Sequence, residues 1–268
     1  TRRQLGRDER RRMPRSSLSR LGSGPRDPLG ILASQNETRD QDLVPLRTER
    51  MSASAFAFYR GTAALMAADL AAGPSSGILV PSCGDAHVAN FGFYASPQRT
   101  LMFDLNDFDE SAWAPWEWDL KRLITSVVIA GQDTGRDEAI VRDAVLSAVR
   151  TYASGIAGAV TRSGVERYYA HFTPEDARKR LDKPSRVALD TAIRDAQKRT
   201  GERAARKITE HQGDGRLVFV ENPPTMTHVS PAFAASSHAL LAQYRETVSV
   251  DIALLLTHYT ISDTVRRV

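Results

Sequence analysis

Two short stretches hold most of the side chains able to do chemistry. The first reads Cys83-Gly84-Asp85-Ala86-His87-Val88-Ala89-Asn90 and the second Phe103-Asp104-Leu105-Asn106-Asp107-Phe108-Asp109-Glu110. Between Leu101 and Asp119 there are six acids and no Lys or Arg. Carboxylates at that density repel one another unless they are solvated or a cation sits among them. Asp85 follows a short apolar run and a glycine, so its carboxylate is expected to project from a strand end into a cleft. Asn90 is close enough along the chain to return to the same cleft. A second strand, Leu101–Phe103, is expected to end at Asp104–Asp109. Two strand ends facing one site would then bring Asp, Asn and Asp together. Hard oxygen donors of this kind suit Mg²⁺, which keeps several waters and usually binds phosphate as well. An uncoordinated Asp beside them can accept a hydroxyl proton. A base, an Asn for the metal and an Asp for the metal are the parts needed for phosphoryl transfer.

Each residue also has a plainer reading. Asp85 suits a turn cap. His87 suits a hydrogen-bonded loop organiser better than a metal ligand. Asp104 and Asp109 compete with Asp107 for a cation. Arg60 suits a phosphate anchor or, equally, a salt bridge to the acidic loop. Trp113, Trp116 and Trp118 suit packing at a helix start more than stacking on a substrate. Asp119 is expected in the first turn of a helix, where a carboxylate is favourable.

The elements that must position these groups follow from periodicity. Apolar residues recur at helical spacing from Thr48 to Gly73, where the glycine can close the helix. Ile78–Val80 reads as a short buried strand, Gly84–Asn90 as a polar loop, and Pro97–Arg99 as the turn before Leu101–Phe103. Helices are expected over Glu117–Gly131, Asp137–Val160, Pro174–Glu210 with a break near Pro184, and His238–Tyr259. Leu217–Val220 reads as a strand. Five or six helices against three or four short strands make an α+β body, mostly helical, and not a doubly wound sheet. Residues 1–47 lack sustained periodicity and are expected to form a basic, disordered tail, with the folded domain spanning 48–268.

Charge supports that division. The formal net charge is +4, but residues 1–50 carry +5 and the remainder −1. A nucleic-acid-binding body is therefore not supported. Within the remainder, Arg178–Lys207 carries +7 and Leu101–Asp119 carries −6. A single cysteine, Cys83, excludes an intramolecular disulfide and a Cys-rich zinc site, and fits a reducing compartment. No apolar run approaches the roughly 18 residues that span a bilayer, and no secretory signal is visible. The expectation is a cytoplasmic protein acting on a small molecule, with no membrane span and no sequence signal for its oligomeric state.

The stretch Gly84-Asp85-x-His87-x-x-Asn90 resembles the G-D-x-H-x-x-N catalytic loop of aminoglycoside phosphotransferases and choline kinases, members of the kinase-like superfamily. Asp107, twelve residues before Asp119-Leu120, resembles their metal-binding Asp followed by a structural Asp-Leu. More broadly, Phe56-x-Phe58-Tyr59-Arg60-Gly61, Cys83–His87, Phe103–Glu110 and Trp116–Leu123 resemble a bacterial family, domain of unknown function 2252, over about residues 48–268. The kinase resemblance covers only about 83–120. It implies the C-terminal lobe of a protein-kinase-like fold, with Mg²⁺ and ATP as cofactors. Asp85 would be the base, His87 the residue orienting the loop, Asn90 and Asp107 the metal ligands, and Arg60 a cofactor contact. The expected reaction is phosphoryl transfer from ATP to a hydroxyl of a small molecule. A non-catalytic nucleotide-binding or regulatory module is one alternative, and a metal-dependent phosphoester hydrolase another. Cys83 stands where the kinase-like loop usually has His, and no phosphate-cradling Gly loop or strand Lys is visible. By the family resemblance the chain is expected to be an incomplete fragment, ending just before that part.

Overall fold

The structure, a computed structural model, describes residues 2–96, 98–179, 181–198 and 200–267. It divides into two units, Thr1–Asp190 and Thr191–Val268. The sequence reading draws its only boundary after residue 47. The class is α+β, with 58% helix and small antiparallel sheets, as expected. Among the described residues no helix is long and apolar enough to cross a membrane.

The first unit opens with α1 (Arg2–Arg12), α2 (Pro28–Glu37), α3 (Val44–Ser52), α4 (Ala55–Arg60) and α5 (Ala63–Ala71). It continues with β1 (Leu79–Ser82), β2 (Phe91–Ala95), β3 (Leu101–Leu105) and β4 (Ala112–Pro115). It ends with α6 (Glu117–Asp133), α7 (Glu138–Ala159), α8 (Gly164–Tyr168), α9 (Pro174–Arg178) and the first part of α10 (Lys183–Gln197). The stretch expected to be a structureless tail thus carries α1, α2 and the start of α3. For α2 the reason is local: Asp27 accepts a hydrogen bond from Gly30 N at 2.8 Å and Pro28 occupies the first turn. An Asx cap followed by proline is a helix start that periodicity alone does not reveal.

The helix read as continuous from Thr48 to Gly73 is three helices. Ser54 has extended backbone and its hydroxyl accepts from Ala57 N at 3.1 Å, so it caps a new helix rather than continuing the old one. Gly61 and Thr62 then end α4, and the Thr62 hydroxyl donates back to Phe58 O and Tyr59 O. The Pro174–Glu210 segment likewise splits, with the expected break near Pro184 lying between the end of α9 at Arg178 and the start of α10 at Lys183, where Pro184 sits in the first turn. Arg180 and Arg199 of that basic segment lie outside the described residues.

Two antiparallel strand pairs follow, of which only β2–β3 joins consecutive strands. β1 pairs with β4, with Val80 opposite Ala114 and Ser82 opposite Ala112. β2 pairs with β3, with Phe93 opposite Phe103. The strand expected at Ile78–Val80 is thus displaced to Leu79–Ser82, and β2 and β4 are additions to the sequence reading. Trp113 is an exposed β4 residue and not part of a helix start, whereas Trp116 does stack there, on Tyr152. In the turn expected at Pro97–Arg99, Pro97 lies outside the described residues and Arg99 has a positive φ of 63°. Helices α6 and α7 approach closely at Gly131, where an added Cβ would stand 2.4 Å from Val141 Cγ2.

The second unit holds the end of α10, then α11 (Gly201–Ile208), β5 (Thr209–His211), β6 (Leu217–Phe219) and β7 (Met226–His228). It closes with α12 (Pro231–Thr247), α13 (Val250–Leu256) and β8 (Val265–Arg267). The pairs are β5 with β6 and β7 with β8, both antiparallel. Val268, the last residue of the segment on which the fragment expectation rests, lies outside the described residues.

Candidate active site

The loop between β1 and β2 is built on a glycine and an aspartate. Gly84 has φ +83°, and a Cβ there would stand 2.0 Å from the Glu110 carbonyl oxygen. Only glycine fits both constraints. The chain is then held by Asp119, in the first turn of α6. Its Oδ2 accepts from Cys83 N at 2.8 Å and its Oδ1 from Gly84 N at 3.0 Å. These charge-assisted bonds fix where the next residue, Asp85, emerges.

Past Asp85 the backbone folds on itself. The Asp85 carbonyl accepts from His87 N at 2.8 Å and from Asn90 Nδ2 at 2.9 Å. Val88 N donates to the fully buried Ser126 hydroxyl of α6 at 2.9 Å, and that hydroxyl donates to Leu123 O at 2.6 Å. Asn106 N donates to Asn90 O at 2.9 Å, and Cys83 Sγ donates to Asp107 O at 3.2 Å. Burial raises the Cys83 pKa, with the nearby carboxylates adding to the effect, so the sulfur keeps its proton. The two acidic stretches are therefore tied together at both ends of the loop.

The Asp85 carboxylate is 16% exposed, and Arg122 of α6 holds one of its oxygens. Nε and Nη2 of Arg122 both lie 2.7 Å from Oδ1. Nη2 also donates to Tyr59 O at 2.7 Å, and the guanidinium carbon sits 4.0 Å from the centre of the Tyr59 ring. Tyr59 returns the contact by donating its hydroxyl to Arg122 O at 2.9 Å. The other carboxylate oxygen, Oδ2, accepts no hydrogen bond among the described residues.

His87 is 3% exposed and its ring meets Phe56 edge-on. Its Nε2 lies 3.6 Å from Asp85 Oδ2, too far for a hydrogen bond, and its buried Nδ1 has no hydrogen-bond partner among the described residues. Burial lowers its pKa, with Asp85 opposing and Arg122 and Arg60 reinforcing. The ring expected to organise the loop by hydrogen bonds is packed instead, and only the His87 backbone N and O bond within the loop. Arg60 is exposed and its guanidinium forms no ion pair among the described residues, so the salt bridge to the acidic loop is not made.

The six acids meet different fates. Glu117 is buried and accepts from Ser76 N and Ser76 Oγ, each at 2.7 Å. Asp119 holds the loop. Asp104, Asp107, Asp109 and Glu110 are exposed, and water screens their repulsion. Asp104 Oδ1 accepts from Leu105 N at 2.8 Å, and Asp107 Oδ1 from Asp109 N at 3.2 Å. Among the described residues no three His, Cys, Asp or Glu side chains converge as a metal-binding group. The structure thus brings Asp85, Asn90 and the backbone of Asp107 together, without gathering Asp104, Asp107 and Asp109 around one point.

Arg122 and Glu117 are absent from the sequence-derived site. A signal for Arg122 exists: it lies three residues after Asp119 on a helix, hence on the same face. A cation on the face that carries the loop-binding carboxylate is placed to meet Asp85.

A family of uncharacterized proteins conserved in bacteria, domain of unknown function 2252, matches residues 39–268. The chain belongs to this family. The match begins nine residues before the expected start at 48 and includes α3, which packs against α4. Comparison of this family member with curated proteins and with solved structures gives no match.

Proposed function

We propose that Gly84–Asn90 is the catalytic loop of a kinase-like phosphotransferase, which moves a phosphoryl group from ATP to a hydroxyl of a small molecule. The observation that carries the reading is the double tie between the acidic stretches, Asn106 N to Asn90 O and Cys83 Sγ to Asp107 O. It brings the loop that carries Asp85 and Asn90 against the backbone of the Asp107 segment, which supports reading a base candidate, an amide and a carboxylate as parts of one phosphoryl-transfer site.

The donor atoms fit Mg²⁺. Asn90 Nδ2 is engaged with Asp85 O, which leaves the amide oxygen as a hard donor. The exposed Asp107 carboxylate supplies a second, and Asp104 and Asp109 are alternatives to it. Among the described residues no three such side chains converge, and the remaining positions would fall to water and phosphate oxygens, the usual arrangement for this ion. Bound Mg²⁺ and ATP would supply the phosphoryl group and neutralise its charge. Asp85 Oδ2 then takes the acceptor hydroxyl proton while Arg122 keeps Oδ1 fixed. His87 packs the loop, and the exposed Arg60 is available to an anionic group.

One observation favours a second reading, a non-catalytic nucleotide-binding module. Arg122 Nε and Nη2 already hold the Asp85 carboxylate in a structural ion pair with α6. Phosphoryl transfer from ATP across a panel of hydroxylated metabolites separates the two. Transfer that disappears in Asp85→Asn supports catalysis; nucleotide-dependent thermal stabilisation without turnover supports the module. Phosphate release from esters without ATP would instead indicate a hydrolase.

A further inference from the structure

An open hollow of about 500 Å³ lies in the second unit, where α10 ends and α11 begins. Asp195 and Lys198 line it from the end of α10, and Thr200, Arg203, Ala204 and Lys207 from α11. The last four recur at i, i+3, i+4 and i+7, so they share one helix face. The hollow belongs to the stretch Arg178–Lys207, which carries +7. Several cations of that stretch are matched by acids: Arg178 by Asp190, Lys179 by Asp176, Lys198 by Asp195 and Arg206 by Glu202. Arg203 and Lys207 are exceptions, since neither side chain forms an ion pair or a hydrogen bond among the described residues. The sequence explains the difference. Glu202 stands four residues before Arg206, whereas the residues four before Arg203 and Lys207 are Arg199 and Arg203. Like charges at that spacing repel, and an anion between them relieves the repulsion.

We propose that this hollow binds a small soluble anion carrying two adjacent phosphoryl groups. Arg203 offers a planar fork that suits one phosphoryl group, and Lys207 a point charge for the other. The two residues are about 6 Å apart along the helix axis, so charge spread over two groups can meet both. Lys198 is the third cation, held back by Asp195 at 3.3 Å. Ala204 leaves room between the charged side chains. The volume is that of a small-molecule site. No aromatic side chain lines it, so the phosphoryl groups and not a nucleobase are what it recognises. The net charge of −1 outside residues 1–50 argues against a nucleic acid as the ligand. None of Gly84–Asn90 lines the hollow, and the proposal does not depend on the phosphoryl-transfer reading.

Pyrophosphate is the probe, titrated into the full chain without Mg²⁺ and followed by calorimetry and amide chemical shifts. It is expected to saturate one site, with shifts centred on Arg203 and Lys207. Inorganic phosphate should bind about fivefold more weakly, the upper end for one exposed charge contact. Arg203→Gln and Lys207→Gln should each weaken pyrophosphate by a similar factor. Asp195→Asn should strengthen it, because Lys198 is then released to the anion. Arg206→Gln, whose cation is already matched by Glu202, should change binding less than twofold, within about 0.4 kcal/mol. All four side chains are exposed, so the variants should fold. Four results would overturn the proposal. Pyrophosphate does not saturate; the shifts centre on Gly84–Asn90 instead; Arg206→Gln weakens binding as much as Arg203→Gln; or a single-stranded oligonucleotide binds more tightly than pyrophosphate, which would mark an extended basic surface.

Discussion

Arg122 reaches from the second turn of α6 to Asp85, placing Nε and Nη2 each 2.7 Å from the single oxygen Oδ1. The same guanidinium lies against the Tyr59 ring and binds the Tyr59 carbonyl. One buried cation therefore joins α4, the β1–β2 loop and α6. Its removal leaves a largely buried carboxylate without its charged partner, while Tyr59 O keeps its hydrogen bonds from Thr62. Arg122→Met is expected to cost about 3 kcal/mol of stability, the magnitude of breaking a buried pair from one side. Chemical denaturation measures this directly. A loss within about 0.5 kcal/mol, as at an ordinary surface site, would show that the pair does not organise the fold.

Asp119 holds the loop from the other side. Asp119→Ala removes two charge-assisted hydrogen bonds to Cys83 N and Gly84 N. The expected loss is about 3 kcal/mol, from about 1.5 kcal/mol for each bond. Hydrogen exchange gives the local readout, because both amides should lose protection before those of β2 and β3.

Gly84→Ala tests the backbone. A side chain here meets positive φ and the Glu110 carbonyl oxygen together. Because the obstacle is backbone, it cannot rotate away, and a loss above about 2 kcal/mol is expected. Thermal unfolding should show a clear drop in midpoint, whereas Gly155→Ala, with nothing near the added Cβ, should not destabilise.

The second unit should respond to pH through His228. Its Nδ1 lies 3.0 Å from Glu221 Oε1 and its Nε2 3.0 Å from Asp263 Oδ2. Both nitrogens can donate only in the imidazolium form. The hydrogen bond to Asp263, then that to Glu221, raises the His228 pKa above its ordinary 6.5. The folded pKa exceeds the unfolded one, so this stabilisation is complete below pH 6.5 and is lost as pH rises through the folded value. Glu221 has the opposite sense: its pKa is lowered, and its contribution is lost as pH falls through that value. His228 is 42% exposed, so the effect is modest. Thermal unfolding from pH 6 to 9, with His228→Gln for comparison, should show a decline in the wild type that the variant lacks.

Much of this arrangement was legible in the sequence, for reasons that differ between residues. Asp119 lies in the first turn of α6 as its sequence position suggests, but its partners Cys83 N and Gly84 N are 36 and 35 residues away, and Asn90, read as a metal ligand, turns its amide nitrogen to the Asp85 carbonyl. Helices α6 and α7 follow from apolar spacing. Ser54 was missed because its cap interrupts a hydrophobic pattern that continues in phase on both sides. Strand β2 was missed because Gly92 and Asn90 read as loop residues, although Phe91, Phe93 and Tyr94 suit a pleated surface. The division of the acidic segment was not legible at all. Whether Glu117 or Asp107 becomes buried depends on Ser76, which lies 41 residues from Glu117.

The central claim is that Asp85 takes a hydroxyl proton while a phosphoryl group leaves ATP. Its most direct measurement is transfer of the labelled γ-phosphoryl group of ATP, in the presence of Mg²⁺, to a panel of hydroxylated metabolites by the full-length protein. A labelled phosphoester is expected with the wild type and a loss of at least about 100-fold in Asp85→Asn, the usual scale of a general base. Equal transfer by wild type and Asp85→Asn, or no transfer to any acceptor, would contradict it.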